Sequence, residues 1–382
     1  MRVELTDEQA MVRAMAAEFA QEHVAPIASE IDRDARFPHE TVKRMGELGL
    51  LGIMVPEQWG GSGADTISYV VALEEIAKAC ASHAVVMSVN NSLYCEPVWK
   101  FGTDEQRARF LKPVAAGHAL GCFALTEPEA GSDARNQHTV AVRDGDHYVI
   151  TGRKLFISTG REASYALVFA QTDSSQAHRG VSAFVVEKNT PGFSVSKTED
   201  KLGIRASDTA ELVFDACRVP AAHRIGDEGR GFHIALATLD GGRIGIAAQA
   251  LGLAVGAYER ALAYARERRS FGVPIGQHQM VQWMLADMVT AIEGARLLIW
   301  QAASLKDAGR PFSTKSAMAK LFAADMAMKV TTDAVQIHGG YGFIREYEVE
   351  RFFRDAKITQ IYEGTSQIQK LVIARAVLGG TA

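Results

Sequence analysis

His138-Thr139-Val140-Ala141-Val142-Arg143-Asp144-Gly145-Asp146-His147-Tyr148-Val149-Ile150-Thr151 sets two short alternating runs on either side of Asp144-Gly145. Alternation of apolar and polar residues is the period of a half-buried strand, and Asp-Gly favours a tight hairpin turn. The stretch predicts a β-hairpin near the middle of the chain. Further strands are predicted at Tyr165 to Gln171, Val181 to Glu187, Phe193 to Lys197 and Ala210 to Phe214. Short strands at this spacing argue an antiparallel β unit, a sandwich or a barrel.

On both sides of this unit the period becomes that of helix. Upstream, Leu5, Thr6 and Gln9 form a staple and capping box that open a helix from Asp7 to about Val24, with Pro26 just past it. Helices follow from His39 to Leu48 and from Asp65 to Ala81, and Thr103 with Gln106 repeats the capping signal. Downstream, Ile244, Ala248, Leu251, Val255, Tyr258 and Leu262 keep a three-four spacing, as do Val281, Met284, Met288, Ile292, Ala295, Ile299 and Ala302. A third stripe runs through Met318, Leu321, Phe322, Met328 and Val335, and a short helix follows Ser366. Each stripe reads as core or subunit packing. Gly252 and Gly256, one turn apart, predict a close helix approach. The expected fold is α+β and multidomain: an N-terminal α-helical domain (1–121), a middle antiparallel β-barrel or sandwich (122–231) and a C-terminal four-helix bundle (232–382).

Composition narrows the function. The 382 residues carry 47% hydrophobic and 23% charged residues, an ordinary globular mixture, with a formal charge of −4. That charge disfavours nucleic acid or an anionic membrane as partner. No run approaches the ~20 apolar residues that span a bilayer, and helix signals begin at once, so a cytoplasmic protein is expected. Cys80, Cys95, Cys122 and Cys217 are scattered with no zinc spacing, which fits a reducing compartment and no metal site. Neither GxGxxG after a strand nor GxxxxGK[ST] occurs, and GxSxG and HExxH are absent.

Five polar, Gly-rich segments stand at the seams. They are Ala124 to Asp133, Lys154 to Gly160, Arg266 to Gly272, Gln336 to Gly342 and Ile361 to Gln369. Singly they read as a linker, an edge strand, a cationic helix end, a helix C-cap and a surface loop. The last is the hardest to dismiss, because Glu363 lies between an apolar run and a Gly, with Thr365 and Ser366 opening a helix.

In this order and spacing the five segments resemble the acyl-CoA dehydrogenase family from about residue 5 to 378. Val86 to Tyr94, Thr238 to Ile246 and the IYEGTSQIQ ending resemble its short-chain, butyryl-type branch. The resemblance implies a three-domain fold, FAD as cofactor and a homotetramer. It implies that Phe123, Leu125, Thr126 and Ser132 line the flavin, and that Phe156, Ile157 and Ser158 pack on it. Many relatives carry Trp and Thr at 156 and 158; Phe keeps the aromatic face and Ser the hydroxyl. Arg268 and Gln279 from one subunit, and Gln336, Gly339 and Gly340 from another, would hold the pyrophosphate and adenosine, with Thr365 and Gln367 completing the site. Ser132, Asp240, Arg243, Tyr362 and Gly364 are expected near the substrate, with Met87 and Leu93 beside the acyl chain.

The implied reaction is α,β-dehydrogenation of a short acyl-CoA to its trans-2-enoyl thioester, electrons going on to electron-transferring flavoprotein. Glu363 is the expected base. Some branches carry their Glu where this chain has Gly242, which cannot act as one. An unperturbed carboxylate near ~4.3 is a feeble base, so burial of Glu363 is expected to raise its pKa. Its backbone N–H and a flavin hydroxyl would polarise the thioester oxygen. Arg243 shapes the site or pairs with Asp240. The alternatives are a branched-chain (isobutyryl or 2-methylbutyryl) dehydrogenase, an acyl-CoA oxidase, a nitroalkane oxidase and a DNA-binding flavoprotein of the same fold.

Overall fold

The computed structural model describes residues 4–380. The first region holds α1 (Asp7–Phe19), α2 (Ala28–Asp34), α3 (His39–Glu47), α4 (Thr66–Ala79), α5 (Ala81–Ser88), α6 (Glu96–Phe101), α7 (Asp104–Gln106) and α8 (Lys112–Ala115). Both capping boxes form: Gln9 N donates to Thr6 Oγ1 at 3.2 Å and Gln106 N to Thr103 Oγ1 at 3.3 Å. Pro26 does not end the first helical run. The chain passes through a π turn (Ala20–Val24) and a 3₁₀ turn (Ala25–Ile27) into α2, with Pro26 in a first turn where its missing N–H costs little. Residues 81–101, not predicted as helix, form α5, a π turn (Val89–Cys95) and α6. Every residue from Ala81 to Val98 is buried, so no polar face remains to reveal the period.

The β region comprises β1 (Gly121–Ala124), β2 (Val140–Asp144), β3 (His147–Ser158), β4 (Tyr165–Gln171), β5 (Val181–Glu187), β6 (Phe193–Thr198), β7 (Thr209–Pro220) and β8 (Arg224–Ile225). They form one sheet in the order β6-β7-β3-β2-β4-β5-β8, with β1 added on β4. The hairpin forms with Asp144 opposite His147, so its two-residue loop is Gly145-Asp146, one position later than expected. Gly145 takes the positive φ of 62°. The sheet is not purely antiparallel: β1 runs parallel to β4, and β2 meets β4 parallel at Val140 and Gln171. β1 was too short, and too close to the helical boundary, to show alternation.

The third region holds α9 (Gly231–Glu267), a small hairpin of β9 (Arg269–Ser270) and β10 (Val273–Pro274), α10 (Gln279–Asp307), α11 (Ser313–His338), α12 (Val349–Ala356) and α13 (Ser366–Val377). Three helices are long, and α4 from the first region packs alongside them in one continuous core. A Cβ on Gly252 would stand 2.3 Å from the Glu74 carbonyl oxygen, and one on Gly256 2.6 Å from that of Lys78, so α9 and α4 touch backbone to backbone as the glycine pair predicts. On α11 the expected core stripe is only partly buried: Met328 and Val335 pack against the core, while Met318 and Leu321 are half-buried. Phe322 is 41% exposed, while the opposite face of Ser316, Ala319, Lys320, Ala323 and Ala327 is buried. Small residues on that face let the helices approach closely, and Phe322 is left outside. No helix among the described residues is long and apolar enough to cross a membrane.

Candidate active site

Glu363 sits in the turn between the 3₁₀ segment Lys357–Gln360 and α13, at φ 50°, followed by Gly364 at φ 91°. A left-handed non-Gly residue costs about 1–2 kcal/mol, so tertiary contacts must hold it. Two do. Lys320 Nζ on α11 donates to the Gly364 carbonyl at 2.7 Å, and Gln369 Nε2 on α13 donates to the same oxygen at 2.9 Å. Thr365 closes the turn by accepting from Ile368 N at 3.2 Å.

The turn points the carboxylate at α9. A Cβ built on Gly242 would lie 2.1 Å from Glu363 Oε2 and 2.9 Å from Leu93 Cδ2, so the absence of a side chain at 242 makes room for the acid. Glu363 keeps some surface toward the cleft, but its Oε2 is buried with no hydrogen-bond partner. Burial raises the carboxyl pKa to about 7, against the opposing pull of Lys320 and then Arg243. Arg243 is buried and pairs with Asp240 at 2.5 Å, while its Nε meets no partner. Its ion pair and its charge on Glu363 therefore coexist. Tyr362 turns its hydroxyl away, donating to Gln249 Oε1. Met87 and Leu93 are buried in the same helical core.

A second group forms where the sheet meets the helices. Beyond Thr151, β3 pairs with β7 alone. Its other side meets the segment before the loop, Leu155 N donating to Thr126 O at 2.8 Å. Beneath lies Lys154, fully buried, donating to Glu127 Oε1 at 2.6 Å, Gln137 Oε1 at 2.7 Å and Leu125 O at 3.2 Å. Burial brings its pKa down to about 8 against the raising pull of Glu127. This network anchors the start of the Phe156–Ser158 segment. Phe156 is held at φ 57° and is 62% exposed as a residue, Ile157 is buried and Ser158 half-buried. Thr159, also at positive φ, has a buried Oγ1 with no partner. Phe123 is half-buried and packs on Phe169 with ring centroids 4.9 Å apart. Ser132 is exposed in the loop beyond.

A third group lies at the far end of the bundle. Arg268, Gly339 and Gly340 line a cavity of about 430 Å³ with Tyr264, His338 and Tyr341. Gly339 adopts φ 60°, ψ −135°, a region almost confined to glycine, and a Cβ at either glycine would meet nothing within 4 Å. The Arg268 guanidinium lies over the Tyr341 ring at 5.3 Å. Arg268 and the two glycines thus meet at one end of the bundle within this chain. Gln279, Gln336 and Gln367 are exposed and do not line this cavity.

An exposed aromatic face beside an unpartnered hydroxyl suits a planar ring, and an open glycine turn beside the Arg268 guanidinium, which meets no carboxylate among the described residues, suits a diphosphate. These features fit a flavin dinucleotide. Lys320 and the Glu127–Lys154 pair were missed from sequence. The available signal was a Lys within a run of Ser and Ala at helical spacing.

Comparison with known proteins agrees over the whole chain. The descriptions of the acyl-CoA dehydrogenase N-terminal, middle and C-terminal domains match residues 6–118, 122–217 and 229–378. The short-chain specific acyl-CoA dehydrogenase of Clostridium acetobutylicum is 53% identical over 374 residues, covering 98% of this chain and 99% of the relative. The butyryl-CoA dehydrogenase structure from Megasphaera elsdenii superposes with a TM-score of 0.98 at 46% identity, covering 99% and 100% of the two chains. A chain in a structure describing the electron transferring flavoprotein of Acidaminococcus fermentans has a TM-score of 0.98 at 50% identity, over 99% and 100%. The chain belongs to the acyl-CoA dehydrogenase family of FAD-dependent oxidoreductases.

Proposed function

We propose that this enzyme converts a short-chain acyl-CoA, butyryl-CoA first, to its trans-2-enoyl thioester, with Glu363 removing the α-proton. The observation that carries the reading is the Glu363 carboxylate itself, buried, without a hydrogen-bond partner, and facing the gap left by Gly242. A pKa near 7 matches a general base to neutral pH, where part of the population is ionised and each ionised carboxylate is far more basic than an ordinary one. The backbone N–H of Glu363 meets no acceptor among the described residues and is free to donate to the thioester oxygen. That contact would acidify the α-carbon while the carboxylate takes the proton. Leu93 and Met87 keep water from the acyl side. Arg243, fixed by Asp240, and Lys320 hold positive charge near the base.

Phe123, Leu125, Thr126, Ser132, Phe156, Ile157 and Ser158 would hold the flavin ring of FAD. Arg268, Gln279, Gln336, Gly339, Gly340, Thr365 and Gln367 would hold its diphosphate and adenosine. When bound, FAD supplies the acceptor for the hydride that leaves the β-carbon. Ser132, Asp240, Arg243, Tyr362 and Gly364 would face the substrate. Electron-transferring flavoprotein is the acceptor we assign, in keeping with the Acidaminococcus relative. The exposed Phe271, Met280, Trp283 and Phe343 support a homotetramer. The four unpaired, buried cysteines support a cytoplasmic setting.

The test is the visible spectrum of the purified protein before and after anaerobic addition of butyryl-CoA. Bleaching of a flavin spectrum on mixing is expected. A flavin spectrum that butyryl-CoA leaves unchanged moves the substrate to another acyl chain, and a protein that cannot hold FAD overturns the reading.

A further inference from the structure

We propose that Lys320 is a positioning residue for the reaction: its ammonium pins the Gly364 carbonyl, fixing the turn that aims Glu363, and its charge holds the Glu363 carboxylate ionised in its dry site. This rests on Glu363 being the base.

Lys320 is fully buried on the Ser/Ala face of α11, where the flanking positions are Ser316, Ala319, Ala323 and Ala324. A buried ammonium is costly without a paired anion. Yet its hydrogen bond goes to the neutral carbonyl of Gly364, at 2.7 Å, and among the described residues no carboxylate lies within ion-pair distance of it. The compensating charge is that of Glu363, one residue before the carbonyl it grips. A purely structural need, tying α11 to the turn, would be met by a neutral donor, as Gln369 already does from α13. The ammonium adds the one thing Gln369 lacks.

The charged and titratable surroundings can be named. Facing Glu363 are Arg243 and its partner Asp240 from α9, Lys320 from α11, Tyr69 from α4 and the adjacent Tyr362. Asp325, a turn further along α11, also acts on Lys320. Arg243 is paired with Asp240, and of the two cations Lys320 exerts the larger pull on the base. Burial pulls the Lys320 pKa down to about 8 against the raising pull of Glu363, so the ammonium persists through neutral pH. Proton abstraction neutralises Glu363. The device therefore acts before the chemical step, by keeping the base ready.

The test uses the flavin-loaded enzyme with Lys320→Met, Lys320→Gln and Lys320→Arg. Gln keeps a donor and loses the charge, Met loses both, and Arg keeps the charge. The protonated-carboxyl infrared band, assigned by its loss in Glu363→Gln, is titrated in each without substrate. The midpoint is expected to rise by about one pH unit or more in Met and Gln, and to stay near wild type in Arg. In turnover, the acid limb of kcat shifts up by the same amount, so activity near pH 7 falls about fivefold for a one-unit shift and recovers as pH is raised. KM changes less. A midpoint that stays put in Lys320→Gln overturns the proposal, whatever happens to the rate, and so does Met if Gln fails to fold. A Glu363→Gln enzyme that keeps full turnover sinks the base instead, and leaves the infrared titration standing on its own.

Discussion

Glu363 and Phe156 are both non-glycine residues held at positive φ, 50° and 57°, and the molecule treats them in opposite ways. Around Glu363, three helices close in: α9 opposite the carboxylate, α11 through Lys320 and α13 through Gln369. Around Phe156 the sheet runs out, and the residue is left 62% exposed above the Glu127–Lys154 network. Backbone strain of similar size thus serves two chemistries. A carboxylate becomes a useful base when water is removed from it, so its turn is packed over. An aromatic face binds a planar ring only if nothing already covers it, so its turn is supported from beneath and left open above.

The sharpest way to break this contrast is Glu363→Gln. Turnover should fall by about 10²–10⁴-fold while the flavin spectrum stays intact, measured by reduction on mixing with butyryl-CoA. The same variant tests the cost of drying the acid. The folded carboxyl, with a pKa of about 7, lies above its ordinary value of 4.5. Its stabilising contribution is therefore fully present below the unfolded value and lost as pH rises through 7. Glu363→Gln should gain on wild type across that window, by on the order of 3 kcal/mol at most, read from denaturant unfolding at pH 5 and pH 8.

Gly242→Ala sharpens the geometry. The added methyl falls within 2.1 Å of Glu363 Oε2, so the base must move, and kcat should drop about a hundredfold with little change in flavin affinity. The smallest effect belongs to the open site. Phe156→Gly relieves the positive φ, so stability should rise by about 1 kcal/mol while FAD binds several-fold more weakly, measured by thermal unfolding and by flavin release. Loss of stability there would mean that the ring is packed in the assembled protein.

Part of this contrast was legible in the residues. The carboxylate between an apolar run and a Gly marked Glu363, and the aromatic and hydroxyl residues at 156 and 158 marked the second segment. What was not legible was the depth of each. Lys320 reads as a surface lysine until α9 and α13 are packed against α11. Phe322 reads as part of a core stripe until the alanines opposite it prove to be the more deeply buried side.

Local chemistry was determined by sequence alone: the capping boxes at Thr6 and Thr103, the limits of β4 and β5, the hairpin to within one residue and the glycine pair that lets α9 meet α4. Each depends on neighbours a few residues apart, or on the absence of one side chain, and so can be seen in a single segment. Only tertiary structure decided that Gly242 and Glu363, 121 positions apart, share one space, and that a lysine on a third helix completes it. Desolvation and charge act through distance in space, and sequence separation carries no measure of that distance.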